Sequence, residues 1–256
     1  MLRSVNELKG FAIVATDGKI GDVEQFYFDD EQWAVRYIVV NTGNWLSGRQ
    51  VLISPFSVVK VDRENSLLQL DLTKSQVENS PDIDTHKPVS RQMEATHSDY
   101  YGNPRYWGSP FLWGPEEYPA TPQSIPMTAT ATATAPMLAA AEDIHLRSTE
   151  EVSSYHIAAT DGDLGHVEDF IIEDNSWVIR YLAIDTRNWL PGRKVMVAPQ
   201  WIASIDWAQG KVHVNLSCEG IKQSPEYDSA KLLSREYEMQ LYRHYHQPGY
   251  WLEPKP

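Results

Sequence analysis

Short apolar segments separated by turn residues recur along the chain, and they predict strands rather than long helices. Residues 10–16 end at Asp17-Gly18, a dipeptide typical of tight hairpins. An alternating segment follows at 21–29, and in the next segment, 33–40, both faces are apolar apart from Arg36. A strand of that kind is typical of a central position with cover on both sides. Further strands are predicted at 51–53, 58–62 and 67–72.

The whole pattern occurs twice, at a constant offset of 144 residues, as from Trp33 to Trp177. Residues 33–49, WAVRYIVVNTGNWLSGR, return at 177–193 as WVIRYLAIDTRNWLPGR, with 9 of 17 positions identical and no insertion. Because the register is uninterrupted, the chain is predicted to contain one module in two copies.

The predicted fold class is mainly β, with two small six-stranded antiparallel β-barrels. The first repeat covers residues 1–107, with its barrel at about 4–80, and the second covers 148–256, with its barrel at about 148–224. Residues 108–147 are rich in Pro, Ala and Thr, a composition that predicts a flexible linker.

Helices are expected only as short additions to each module. Thr73 and Gln76 form a capping-box pattern before a helical turn, and Ser217 opens its copy. Ser234 is a good N-cap for a helix from about Arg235 to Tyr245 in an aromatic C-terminal extension. The offset of 144 continues through these extensions to their ends, which are Tyr106, Trp107, Tyr250 and Trp251.

Composition and charge exclude several classes of protein. A chain of 256 residues with 42% hydrophobic residues and 9 Trp can form globular cores. The net charge of -13 disfavours a nucleic acid partner. No segment approaches the ~18 apolar residues of a membrane span, and Glu7 and Lys9 interrupt any secretory signal, so a cytoplasmic location is expected.

Two recurring positions are candidate contact sites. Arg36 and Arg180 each lie in an apolar strand, where a buried guanidinium needs a carboxylate or carbonyl partner. One interpretation pairs them structurally with Glu24 and Glu168, one strand earlier. The other has them hold an anionic ligand or the carboxylate of a partner.

The loop after the central strand carries a second candidate surface in each copy. Trp and Arg dominate interaction hot spots, and this loop displays both residue types, at Trp45, Arg49, Trp189 and Arg193. Alternatively, the tryptophan plugs one end of the barrel. The aromatic ends of the extensions are candidates for docking, each on the opposite barrel.

No catalytic, cofactor or metal site is predicted. The eight His residues form no recurring set, and His244-x-His246 lacks completing ligands. The Asp-Gly-x-x-Gly turns at Gly21 and Gly165 could be cation or phosphate loops, but a hairpin turn with a glycine bulge is favoured. The single cysteine, Cys218, is expected to be inert.

Several of these residues together resemble the PRC-barrel family. The resemblance rests on Gly18, Gly21, Val23, Trp33, Arg36, Tyr37, Thr42, Trp45, Leu46, Gly48, Arg49, Val51, Leu52, Ser54 and Pro55. It implies a six-stranded barrel used mostly as an adaptor, as in stand-alone bacterial members. The family also includes the cytoplasmic barrel of the photosynthetic reaction-centre H subunit and the C-terminal domain of ribosome-maturation factors.

The resulting expectation is a non-enzymatic tandem protein that binds another protein. Its two repeats would pack as an intramolecular pseudo-dimer, and a homodimer is the related possibility. The alternatives are an H-subunit-like accessory of photosynthetic electron transport and a small-ligand stress or sensor protein.

Overall fold

A computed structural model describes residues 1–82, 89–119, 145–186, 193–229, 231 and 233–252. In the first part of the chain the elements are β1 (Leu2–Ser4), α1 (Val5–Leu8), β2 (Ala12–Ala15), β3 (Gly18–Asp29), β4 (Ala34–Asn41), β5 (Gln50–Ile53), β6 (Val58–Asp62), β7 (Leu67–Leu70), α2 (Lys74–Glu78) and α3 (Arg91–Tyr101). In the second part they are β8 (Leu146–Ser148), α4 (Thr149–Val152), β9 (His156–Ala159), β10 (Gly162–Glu173), β11 (Ile179–Asp185), β12 (Lys194–Val197), β13 (Ile202–Asp206), β14 (Lys211–Val214), α5 (Cys218–Lys222) and α6 (Arg235–His244). Short 3-10 turns occur at Pro55–Ser57, Pro199–Trp201 and Tyr250–Leu252.

Several elements that the local sequence signals predict are confirmed. Strand β6 has the predicted bounds, and the seven buried residues of β4, from Ala34 to Val40, confirm a strand covered on both faces. The Thr73 side chain and the Gln76 side chain form the predicted capping box at the start of α2. Ser234 caps α6 by accepting from the Tyr237 backbone N–H.

The chain forms two compact units, and neither coincides with one repeat. The N-unit contains Leu8–Thr149 and Asp174–Val178, and the C-unit contains Met1–Glu7, Glu150–Glu173 and Ile179–Pro256. Each unit therefore includes chain from both repeats.

Each unit contains a seven-stranded sheet, and the strand order is the same in both. The N-unit order is β5-β4-β3-β2-β7-β6 with β8 added on β3, and the C-unit order is β12-β11-β10-β9-β14-β13 with β1 added on β10. The prediction of six antiparallel strands is wrong in two respects, because each sheet has a seventh strand and one parallel pairing, β2 with β7 or β9 with β14. Among the described strands β5 and β6 end the order without pairing to each other, as do β12 and β13, so no closed barrel is formed there.

The seventh strand of each sheet comes from the segment that leads into the other repeat, and β8 spans the last two residues of the predicted linker and the first residue of the second repeat. In the C-unit, β1 pairs antiparallel with β10, with Leu2 opposite Glu173. In the N-unit, β8 pairs with β3 in the equivalent register, with Leu146 opposite Asp29. Sequence reasoning missed this exchange, because a three-residue strand has too little periodicity to be recognised.

Side-chain contacts hold each exchanged strand. In the C-unit the Ser4 hydroxyl donates to the Asp169 carboxylate, which also accepts from the Asn6 backbone N–H at 3.0 Å. In the N-unit the Ser148 hydroxyl donates to Gln25, the residue equivalent to Asp169. The repeats therefore use the same contact with different acceptors.

The predicted central strands begin one or two residues later than the sequence suggested. Trp33 and Trp177 lie in the preceding turns with φ of 55° and 58°, the left-handed region that bulky residues rarely adopt. Residues 174–178 belong to the N-unit, where the Trp177 ring lies 6.4 Å from that of Phe26. The N-unit thus receives a turn as well as a strand from the second repeat.

Both described ends of the predicted linker belong to the folded N-unit. Residues 108–119 belong to the N-unit, and Trp113 in this segment is 1% exposed, with its indole N–H donating to the Ser176 carbonyl at 2.8 Å. Residues 146–148 form β8. The low-complexity centre, 120–144, lies outside the described residues.

No helix within the described ranges is both long enough and apolar enough to cross a membrane.

Strand exchange predicts a crossed effect of mutation on hydrogen exchange. Val5 is 1% exposed and Leu146 is 5% exposed. We expect Val5→Asp to accelerate amide exchange in β10, and Leu146→Asp to accelerate it in β3, because a buried unpaired charge opens the strand pairing locally. Peptide-resolved hydrogen-exchange mass spectrometry measures both. Faster exchange confined to each variant's own repeat would contradict the strand exchange.

Candidate functional site

The first candidate site is built on the ion pair between Arg36 and Asp29, the last residue of β3. The Arg36 guanidinium donates to Asp29 Oδ2 from Nε at 2.8 Å and from Nη2 at 2.6 Å. The predicted partner, Glu24, is wrong: its carboxylate accepts from Gln50 instead. Residues 24 and 36 are separated along β3 because Val23 pairs with Val40 and Asp29 with Ala34, which brings Asp29 to the arginine end of the strand.

Two further acceptors and two aromatic rings also contact the Arg36 guanidinium. Nη1 donates to the Leu112 carbonyl at 2.7 Å, and Nη2 donates to the Gln32 side chain at 2.6 Å. The Tyr106 ring centre lies 3.7 Å from the guanidinium carbon, and that of Trp113 lies 4.8 Å away. Arg36 is 1% exposed, so these contacts leave it a structural role rather than contact with an external anion.

Arg180 makes the same types of contact in the C-unit, but its side chain is more exposed to solvent. Its Nη2 donates to Glu173 at 2.6 Å, where Glu173 is the counterpart of Asp29, and the Tyr250 ring centre lies 4.1 Å from its guanidinium carbon. The Arg180 side chain is 24% exposed. The predicted partner Glu168 bonds to Lys194 instead.

The aromatic extensions dock on the unit to which their own helix belongs. Tyr106 covers Arg36, and its hydroxyl donates to Glu94 in α3 at 2.5 Å. In the C-unit the Tyr250 hydroxyl donates to Glu238 in α6 at 2.9 Å. These contacts replace the predicted docking of each extension on the opposite barrel.

The neighbouring tryptophans, Trp107 and Trp251, also pack on the helix of their own unit. The Trp107 ring centre lies 4.9 Å from the guanidinium carbon of Arg91, and that of Trp251 lies 4.5 Å from that of Arg235. Both arginines occupy the first position of their helices, α3 and α6. A cation over an aromatic face holds each extension at the start of its helix.

Glu94 is a buried carboxyl of the N-unit with a strongly raised pKa. Burial raises its pKa to about 7, against the opposing effects of Arg91 and Tyr106. The Tyr106 hydroxyl has its pKa raised as well, because it is buried and lies beside this carboxylate. Sequence comparison of the repeats matched Glu94 with Glu238 but gave no reason to place either in the core.

His97 in α3 is held neutral. Its Nε2 lies 2.9 Å from the Leu52 carbonyl, which can only accept, so this nitrogen carries the proton. Burial lowers the pKa of His97 to about 4. The second repeat has Leu241 at this position, which indicates that packing between the helix and the sheet is its main role.

The loop arginine, Arg49, also has a structural role. Its guanidinium donates to the Glu78 carbonyl at 2.9 Å and the Ser80 carbonyl at 2.6 Å, and it pairs with Asp82. These acceptors lie at and after the C-terminus of α2, so Arg49 fastens the loop to that helix. In the C-unit Arg193 makes the equivalent contact with the Ser224 carbonyl.

Trp45 is partly buried and lines a cleft of the N-unit. The cleft has a volume of about 320 Å³. Lys74, the first residue of α2, places its ammonium 5.5 Å from the Trp45 ring centre. The cleft is lined by Lys19, Ile20, Gly21, Asp22, Asn41, Thr42, Gly43 and Trp45. The equivalent Trp189 lies outside the described residues.

Gly21 shapes the floor of this cleft, because no side chain fits there. A Cβ on Gly21 would lie 2.2 Å from the Asn41 carbonyl oxygen, and one on Gly165 would lie 2.0 Å from that of Asp185. The turn before it connects to α2, since Asp17 Oδ1 accepts from the Lys74 backbone N–H at 2.8 Å. These contacts favour the hairpin interpretation of the glycine motif over a phosphate loop.

We expect Arg36→Ala and Arg36→Met each to lower the free energy of unfolding by about 3–5 kcal/mol, because either leaves Asp29 buried without its cation. Arg180→Ala, at the more exposed pair, should cost about 1 kcal/mol. Urea denaturation measures all three.

The control for this prediction is Asp29→Asn in the Arg36→Met background, which removes the unpaired charge and should recover part of the loss. Full stability of both single Arg36 variants would exclude a buried structural pair.

Glu94 should make the stability of the N-unit depend on pH. Because its folded-state pKa is raised from 4.5 to about 7, its contribution is complete below about pH 4.5 and is lost as the pH rises through 7. The loss between about pH 5 and pH 8 is on the order of 2–3 kcal/mol. Glu94→Gln should abolish that part of the pH dependence in denaturation curves.

Glu78→Gln, at an exposed carboxylate of α2, is the control for losing one negative charge. If Glu94→Gln and Glu78→Gln had the same pH profile, the buried carboxyl would not be the source.

Comparison with known proteins gives one family and no curated relative. The sequence model of the PRC-barrel domain matches residues 2–77, which include β1 to β7 and most of α2. A search of curated proteins finds no match to the chain. The matched segment contains Arg36, Trp45 and Arg49, so the family model supports the resemblance of the first repeat to the PRC-barrel domain.

Proposed function

We propose that this protein is a non-enzymatic adaptor in which two PRC-type repeats are held together as an intramolecular pseudo-dimer and present a surface to a protein partner. The observation that carries the proposal is the exchange of β1 and β8 between repeats. Because neither unit completes its sheet from one repeat, the exchange is a reason for the two copies to remain associated.

The proposed recognition surface is the cleft at Trp45. A partly exposed tryptophan beside charged residues of both signs, Lys19 and Asp22, has the composition of an interaction hot spot. Arg49 fixes the far end of the loop to α2, so the ring is presented with little loss of entropy on binding.

The buried charged residues that could suggest catalysis, Arg36 and Glu94, are engaged in contacts inside the N-unit. Arg36 is enclosed by Asp29, Gln32 and two aromatic rings. The Glu94 carboxylate accepts hydrogen bonds from Tyr106 and Arg91. Groups fixed in this way support a scaffold, and we therefore place function at the surface.

The test is site-specific photo-crosslinking from position 45 in the native host, with position 59 as the control. Val59 lies on β6 of the same unit and is 63% exposed, so it samples an accessible surface away from the cleft. We expect a protein crosslinked from position 45 and not from position 59. With that protein purified, Trp45→Ala should weaken binding about tenfold or more.

Trp45→Ala should leave the urea midpoint nearly unchanged, because the ring is partly exposed. Equal crosslinking from both positions, or unchanged affinity of the Trp45→Ala variant, would overturn the proposed surface.

A further inference from the structure

The two exchanged segments are chemically equivalent. Both begin with Leu-Arg-Ser, at Leu2–Ser4 and Leu146–Ser148, and both add antiparallel to the acidic end of the longest strand of their sheet. In each, the serine hydroxyl donates to the same position of that strand, Asp169 or Gln25. The edge of β10 in the C-unit and the edge of β3 in the N-unit therefore each form a groove that recognises a Leu-Arg-Ser strand.

The groove in the C-unit binds its strand through contacts that do not depend on chain connectivity. Asp169 accepts from the Ser4 hydroxyl and the Asn6 backbone N–H, and the Asn6 side chain donates to the Glu168 carbonyl at 3.0 Å. Val5 is 1% exposed. A segment of identical sequence from another molecule would satisfy all of these contacts.

The connection between this segment and the N-unit is short. The boundary between the units falls between Glu7 and Leu8, inside the four-residue helix α1. A helix of one turn has little stability of its own. Gly10 follows with φ of 79°, and a Cβ at that position would meet nothing within 4 Å. Gly10 adopts this positive φ without steric cost, and the single hydrogen bond from its N–H to the Val23 carbonyl, at 2.8 Å, lies on the N-unit side of the boundary.

We propose that Met1–Glu7 is an exchangeable donor strand and that its partner is a second copy of this chain, in which the segment pairs with β10. Reciprocal exchange retains every contact of the groove and changes only the connection around Leu8 to Gly10. Such exchange is a low-cost route from monomer to dimer. The intramolecular state is favoured by an effective concentration on the order of millimolar, so the dimer should increase with protein concentration.

The experiment traps the strand with a disulfide in full-length chains carrying Cys218→Ser. Ser4→Cys and Asp169→Cys place thiols where the two side chains are in hydrogen-bond contact. A mixture of the two single variants in a redox buffer is expected to form a disulfide-linked dimer whose yield rises with concentration. No more linked dimer than in the control mixture would overturn the proposal.

The control mixture pairs Ser4→Cys with Val59→Cys, an exposed thiol outside the groove, and reports on random collision. Because the substitutions themselves weaken the groove, native mass spectrometry of unmodified chains, one isotope-labelled, provides a second measurement. Dimers of mixed mass at high concentration support the exchange, and their absence contradicts it.

This inference goes beyond the proposed function, and the double variant separates the two. Ser4→Cys with Asp169→Cys in one chain should form an internal disulfide and migrate as a monomer. If it does and the mixed single variants do not link, only exchange between molecules fails. If the double variant does not link either, the exchanged strand fails, and the proposed pseudo-dimer fails with it.

Discussion

The buried pair of Arg36 and Asp29 is the constraint on which the N-unit depends. Dehydrating two charges is costly unless every remaining donor and acceptor is satisfied. Asp29 meets this demand by accepting from Arg36 and from the backbone N–H groups of Glu31 and Gln32, which shapes the turn before β4. Arg36 in turn requires the Leu112 carbonyl and the Tyr106 ring. The aromatic extension and residues 108–119 therefore both contribute contacts to this one arginine.

Strand exchange makes the two copies of the repeat structurally dependent on each other. Each long strand, β3 or β10, would leave one edge at its acidic end without a partner if it had only its own repeat. Unpaired strand edges are liabilities for aggregation. Taking the leading strand from the other repeat covers both edges and makes each sheet depend on the presence of the other copy. The proposed adaptor and its proposed dimer are two consequences of the same device.

Sequence reasoning predicted the features that depend on local pattern. The strands from β2 to β7, the capping box at Thr73 and the cap at Ser234 rest on periodicity and turn chemistry within a few residues. The exchanged strands, the partner of Arg36 and the position of Trp113 depend on contacts between distant residues, which a single sequence does not encode locally. A signal for Asp29 did exist: an acidic residue precedes the strand arginine by seven positions in both repeats, at Asp29 and Glu173.

The two copies of this ion pair have diverged in how much water reaches them. Arg36 is 1% exposed beneath Trp113, whereas the Arg180 side chain is 24% exposed and is bound by the longer Glu173. The Coulombic gain and the cost of dehydration both fall as solvent enters, so the same motif contributes less in the C-unit. There the Glu238 carboxylate, the counterpart of Glu94, accepts from both Tyr181 and Tyr250. The two aromatic extensions are thus held by the same types of contact, an ion-paired arginine and a buried glutamate, but the exposure of the ion pair differs between the two units.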